Sequence, residues 1–279
     1  MTERIIRAGG VELATEAFGD RAQPPVVLIM GGMASMLWWR EAFCERLAAR
    51  GRYVIRYDSR DTGHSTTYPP GKPGYTFDDM AEDLFRILDG YGLAAAHLVG
   101  MSFGGMVGQA AALKRPSRVS SLTAISSSPL GEDASQLPGF SKAVMEHMSR
   151  EVDWTDRDQA IAYMVGESRL LAGTARPFDE AEVSALIARD FDRNGGYSHA
   201  TNHAYVGPGK EWQGRLREMI VPLRVIHGTA DPIYPIEHGQ ALARAVSGAS
   251  LLPLEGGGHE LNPAHWDRII DAILSHTRR

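Results

Sequence analysis

Ser102 stands in the run Gly100-Met101-Ser102-Phe103-Gly104, a G-x-S-x-G pattern preceded by the apolar His97-Leu98-Val99 and followed by Gly105-Met106-Val107-Gly108 and Ala110-Ala111. This reads as a strand that turns sharply into a small-residue helix, with the serine at the turn. Flanking glycines permit the tight backbone that lifts the hydroxyl clear of a sheet. The start of the helix also leaves the Phe103 N–H free to donate to a developing oxyanion. A serine hydroxyl is a poor nucleophile at neutral pH, so acyl chemistry here needs a base within hydrogen-bond reach and an acid to orient that base.

Ten histidines compete for the base. His259 follows Gly256-Gly257-Gly258, a loop after the last apolar run that lets a side chain swing over a sheet, and it is the expected base. Asp231, on the turn after His227-Gly228-Thr229-Ala230, is the expected orienting acid, and His227, still inside the end of its strand, reads as structural. Glu132 and Asp133, past Pro129, compete for the acid role from the end of the preceding strand. His259-Glu260 does not open a zinc helix, because that motif requires a second histidine where Pro263 stands. His64 reads as a loop residue and His97 as a strand residue. Cys44 lacks a glycine-flanked elbow and reads as a small core side chain.

The elements that must position these residues alternate. Short Val/Ile/Leu-rich runs at 5–8, 11–18, 25–30, 53–57, 96–101, 119–125, 223–227 and 251–254 alternate with segments of helical period. That pattern predicts an α/β fold with about eight strands, mostly parallel, helices on both faces and an edge hairpin around Gly9-Gly10. Thr76 is the expected N-cap of a helix ended by Gly90 and Gly92, and the chain is expected to close on a helix beginning after His259. From Ser128 to about Glu218 the alternation stops. Residues 129–218 are expected to form a helical cap over a pocket, inserted between core parts 1–128 and 219–279.

Composition narrows the function classes. The 279 residues are 43% hydrophobic, carry 29 Lys+Arg against 34 Asp+Glu for a net charge of −5, and include one cysteine. Disorder and a disulfide scaffold do not fit. No basic cluster suggests a nucleic-acid partner. The stretch 22–39 is broken by Pro24, Pro25, Gly31 and Gly32, and 93–113 holds His97, Ser102, Gln109 and four glycines, so neither reads as a membrane span. The start, Met1-Thr2-Glu3-Arg4, lacks an apolar run behind basic residues, and a cytoplasmic protein is expected.

The run Val26-Val27-Leu28-Ile29-Met30-Gly31-Gly32, the run Arg56-Tyr57-Asp58-Ser59-Arg60-Asp61-Thr62-Gly63-His64-Ser65 and the elbow at Ser102 resemble the α/β-hydrolase superfamily, closest to the aclacinomycin methylesterase group. The order Ser102, Asp231, His259 is the chain order of that superfamily's catalytic residues. The resemblance implies a serine carboxylic ester hydrolase working through an acyl-serine, with oxyanion amides from Gly32 and Phe103. It implies no metal or organic cofactor, and a monomer or homodimer acting on a small-molecule ester. A lactonase or thioesterase would use the same residues; a haloperoxidase-like enzyme or a ligand receptor on this fold are further alternatives. Ser102 in place of an aspartate disfavours epoxide hydrolases and haloalkane dehalogenases. Met33 and Trp38, after the oxyanion loop, are expected to line the pocket and to favour small to medium or bulky apolar esters.

Overall fold

The computed structural model describes residues 3–278 apart from Asp133. Eight strands, β1 (Arg4–Ala8), β2 (Val11–Phe18), β3 (Pro25–Ile29), β4 (Tyr53–Tyr57), β5 (Ala96–Met101), β6 (Val119–Ile125), β7 (Leu223–Gly228) and β8 (Ser250–Leu254), form one sheet in the order β1-β2-β4-β3-β5-β6-β7-β8. The β1–β2 hairpin and the β2–β4 pair are antiparallel, and every pairing from β4 to β8 is parallel.

Alternation along the strands decides what each face buries. On β3, Val27 and Ile29 pack with α2 (Phe77–Tyr91), α3 (Phe103–Lys114) and α7 (Ile236–Ala245). Val26 and Leu28 face the other way, onto α1 (Glu41–Ala49) and α8 (Trp266–His276). Both faces are therefore apolar, which is why these parallel strands read as continuous hydrophobic runs. Thr76 caps α2 in a capping box with Asp79, as expected. Gly90 does not end that helix: the chain stays helical through Tyr91, and Gly92, at φ 66°, supplies the left-handed C-cap.

The last helix follows His259, as expected, and begins at Trp266. Asn262 and Pro263 precede it in a short 3-10 turn capped by the Asn262 side chain, since proline restricts the residue before it away from helical backbone. Between β6 and β7 lie α4 (Lys142–Met148), α5 (Arg157–Leu171) and α6 (Glu180–Asn194), with 3-10 turns and no strand among the described residues. They carry a separate apolar cluster of Ala160, Met164, Ile187, Phe191, Tyr197 and Ala200. Among the described residues no helix is long and apolar enough to cross a membrane.

Candidate active site

The turn from β5 into α3 places Ser102 at φ 53°, ψ −122°, a left-handed conformation unusual for a residue with a side chain. What makes it possible is contact behind the serine. A Cβ on Gly104 would stand 2.4 Å from the Met30 carbonyl oxygen, so only glycine lets α3 start against the end of β3. Ser102 N donates to the Ile125 carbonyl at 2.9 Å, fastening the turn to β6. Backbone strain of this kind persists only where the surroundings over-determine it, and it concentrates at functional sites.

His259 arrives over the sheet on the loop after β8. Its Nε2 lies 2.8 Å from Ser102 Oγ and its Nδ1 2.8 Å from Asp231 Oδ2. Asp231 accepts further hydrogen bonds from Ile233 N and Tyr234 N, both 2.9 Å, on its other oxygen. An acceptor-only carboxylate on Nδ1 leaves Nδ1–H as the donor, so Nε2 is free to accept the serine proton. Burial alone would raise the Asp231 carboxyl. The attraction of His259 and the hydrogen bonds it receives outweigh that and hold it below the usual carboxylate range.

The other expected residues fall as follows. Glu132 is exposed and has no contact with His259, while Asp133 lies outside the described residues. His227 is buried; its Nε2 donates to the Tyr234 carbonyl at 2.6 Å and stands 3.7 Å from Asp231 Oδ2, away from Ser102. His64 pairs with Glu3, and His97, inside β5, with Ser121. Cys44 is buried and its thiol is pushed up to about 12 by desolvation, which removes the reactive thiolate. Among the described residues no group of three or more His, Cys, Asp and Glu side chains is placed to hold a metal ion.

The loop after β3 runs against the serine: a Cβ on Gly31 would stand 3.4 Å from Ser102 Cβ. Neither Gly32 N–H nor Phe103 N–H has a partner among the described residues. Beside them opens a cavity of about 150 Å³, with Ser102 and His259 at one end and Met30, Met164, Leu171 and Phe178 on its walls. Trp38 is among its lining residues; Met33 is not, and both pack against the apolar cluster of the helical segment.

Several lining residues carried no sequence signal. Glu167 on α5 lines the same cavity, and burial pushes its carboxyl up while the nearby His259 opposes the shift. Arg40, before α1, and Arg176, before α6, both pair with Glu182 at the rim. His203, outside the cavity lining, is buried behind the loop after β3. These residues meet only when the helical segment is laid on the sheet, so no local pattern could mark them.

A family model described as the alpha/beta hydrolase fold matches residues 24–265. Rhodomycin D methylesterase DauP of Streptomyces sp. (strain C5) is 34% identical over 300 aligned positions, covering 100% of this chain and 99% of that protein. Among solved structures, an esterase from Exiguobacterium antarcticum superposes with a TM-score of 0.81 at 20% identity, over 100% of both chains. An enol-lactonase from Burkholderia xenovorans LB400 superposes with a TM-score of 0.78 at 21% identity, over 99% of this chain and 100% of that one. At such identities these two speak for the fold alone.

Proposed function

The chain belongs to the α/β-hydrolase family, and from that premise we propose that it is a serine carboxylic ester hydrolase in which Ser102, His259 and Asp231 act as nucleophile, base and orienting acid. The observation that carries this reading is the pair of 2.8 Å contacts linking Ser102 Oγ, His259 and Asp231 at the mouth of an apolar cavity. In the first half-reaction Ser102 Oγ attacks the ester carbonyl carbon and His259 Nε2 takes its proton. The amides of Gly32 and Phe103 receive the charge on the carbonyl oxygen. The tetrahedral intermediate collapses, the alcohol leaves with the proton from His259, and an acyl-serine remains. Water then attacks the acyl carbon, His259 again takes a proton, and the carboxylic acid departs as Ser102 is restored.

Similarity to a rhodomycin D methylesterase supports a methyl ester as substrate, and the Met30, Met164, Leu171 and Phe178 walls support an apolar acid part. A cavity of about 150 Å³ holds a benzene-sized group, which suits the part of the acid next to the ester. Residues 129–218 then serve as a cap whose helices wall the cavity, in a protein that works in the cytoplasm as a monomer or homodimer on a small molecule. The test is a hydrolysis panel of methyl esters with short, branched and aromatic acyl groups, with lactones and thioesters as further arms. Turnover of methyl esters by the wild type and none by Ser102→Ala supports the reading. Turnover confined to lactones or thioesters, or retained in Ser102→Ala, sinks it.

A further inference from the structure

His203 is 6% exposed, lies in the 3-10 turn Ala200–Tyr205 of the helical segment, and makes three contacts, two of them with Met33 and Phe103 beside the free amides. Its Nδ1 accepts a hydrogen bond from Met33 N at 3.0 Å. Its Nε2 donates to the Arg60 carbonyl at 2.8 Å, in the loop after β4. Its ring stacks on Phe103, with centroids 5.6 Å apart and planes 25° from parallel. Phe103 is held from another side by the edge of Phe77, at 5.5 Å. Gly32 sits in the angle between the two residues, since a Cβ on it would be 3.9 Å from both His203 Cβ and Phe103 Cβ.

We infer that His203 is a positioning residue for the oxyanion hole, fixing the Gly32 amide through Met33 and the Phe103 amide through its ring. This rests on the ester-hydrolase reading of the site. The physical argument begins with the loop itself. Gly31 and Gly32 have no side chain to pack, and Met33, whose side chain packs on the helical segment, is held at φ 64°, a backbone state that a residue with a Cβ leaves unless its backbone is restrained. The Met33 N–H bond to His203 is that restraint. The imidazole suits the task because a neutral ring offers one acceptor and one donor on opposite sides. The carbonyl of Arg60 can only accept, so it commits Nε2 to carry the proton and leaves Nδ1 as the acceptor that Met33 requires.

The Arg60 end does not move either. The Arg60 guanidinium is buried and bound through two nitrogens to Asp83, at 2.7 and 2.9 Å. His203 therefore ties a mobile-by-composition loop to a fixed one. An oxyanion hole acts on charge that exists only in the transition state, so misplacing its donors lowers kcat and leaves substrate binding nearly untouched.

The test compares the wild type with His203→Phe and His203→Asn. Phenylalanine keeps the ring against Phe103 and removes the acceptor. Asparagine keeps an acceptor oxygen within reach of Met33 N and gives up the ring. The readouts are kcat and KM on an activated acetate ester, and the rate of Ser102 labelling by a fluorophosphonate, whose phosphoryl oxygen occupies the same hole. His203→Phe is expected to lose roughly 30- to 100-fold in kcat with KM within about threefold, and labelling is expected to slow in parallel. His203→Asn is expected to lose only about tenfold. A His203→Phe enzyme within about threefold of wild type in kcat, a loss carried in KM instead, or an Asn variant no faster than the Phe variant would overturn the assignment. If His203→Phe does not fold, the Asn variant decides: a kcat loss near tenfold at unchanged KM supports the role, and a kcat within about threefold of wild type overturns it. A wild type that turns over no ester would sink the ester-hydrolase reading, and the labelling rates would still decide the role of His203.

Discussion

The backbone N–H of His259 donates to the carbonyl of Leu171 at 2.8 Å, so the loop that carries the proposed base is fastened to the last turn of α5. The same seam holds Thr174 N on the Gly256 carbonyl at 2.6 Å and Gly173 N on Glu260 Oε1 at 3.0 Å. A Cβ on Gly173 would stand 2.1 Å from the Gly256 carbonyl oxygen, so the two backbones are in direct contact. The helical segment and the histidine loop are one unit along this line. A rigid seam of this kind places the imidazole, and a displacement of about 1 Å at a reacting group can cost on the order of 100-fold in rate.

Glu260 is the side chain that closes this seam, accepting from Gly173 N and from Asn262 Nδ2 at 2.8 Å. Glu260→Ala is expected to lower kcat about tenfold through displacement of His259, while Glu260→Gln, which keeps an acceptor oxygen, stays within about threefold. Steady-state kinetics on one activated ester checks this. Equal rates for the alanine variant and the wild type would show that the backbone bonds hold the loop without Glu260.

Asp231 is the acid in contact with His259, and Glu132 is exposed and apart from it. Asp231→Asn is expected to cost about 10⁴-fold in kcat because the amide disfavours the imidazole tautomer that leaves Nε2 free. The asparagine oxygen can still accept from Ile233 N and Tyr234 N, so the melting temperature should change little. Glu132→Gln should leave kcat within about twofold, because surface substitutions without partners have small effects. Adding Asp231→Asn to Ser102→Ala should cost little more than Ser102→Ala alone, as expected of residues acting as one unit.

Asp190 on α6 is fully buried and accepts from Ser35 Oγ, from Trp38 Nε1 at 2.9 Å and from Tyr197 OH at 3.1 Å. Burial, the largest influence, raises its carboxyl despite those donors. It pins α6 to the segment that follows the Gly31-Gly32 loop and anchors the Trp38 ring beside the cavity. Asp190→Ala leaves three donors unsatisfied, at about 1–3 kcal/mol each, and is expected to destabilise by about 4 kcal/mol. At about 2–4 °C per kcal/mol for a chain of this size, calorimetry should show a fall in melting temperature near 10 °C. A fall of under about 2 °C would mean the donors find other partners.

His97 gives a pH signature separate from activity. Buried in β5 beside Ser121, its imidazole is depressed by desolvation to about 4, from an ordinary value of 6.5. As pH falls through the window between those values the unfolded chain takes up a proton that the folded chain refuses, so stability is lost on acidification. His97→Asn removes this difference. The drop in melting temperature between about pH 7 and pH 4.5 should be smaller in the variant than in the wild type. Identical drops would mean that His97 is protonated in the folded protein without penalty.

What the sequence determines by itself is local. Strands β4, β5 and β6 end where their apolar runs end, because a central parallel strand buries both faces and its hydrophobic run is its length. The elbow at Ser102 is legible because strand, glycine-flanked turn and helix are contiguous, and the glycine-rich approach to His259 is legible for the same reason. Asp231 is favoured over Glu132 already in the sequence, because its turn joins a strand directly, but the 2.8 Å approach to His259 belongs to the tertiary structure, which sets the lie of the loop after β8. Met33 and Trp38 sit five residues apart and read alike in sequence, yet of the two only Trp38 is among the residues lining the cavity. His203 is the furthest from legibility. It meets Met33 across 170 residues of chain, through a helical segment whose placement on the sheet depends on buried polar contacts such as Asp190 with Trp38. Periodicity and turn chemistry report on neighbours in sequence; contacts of that span are decided by how whole elements pack.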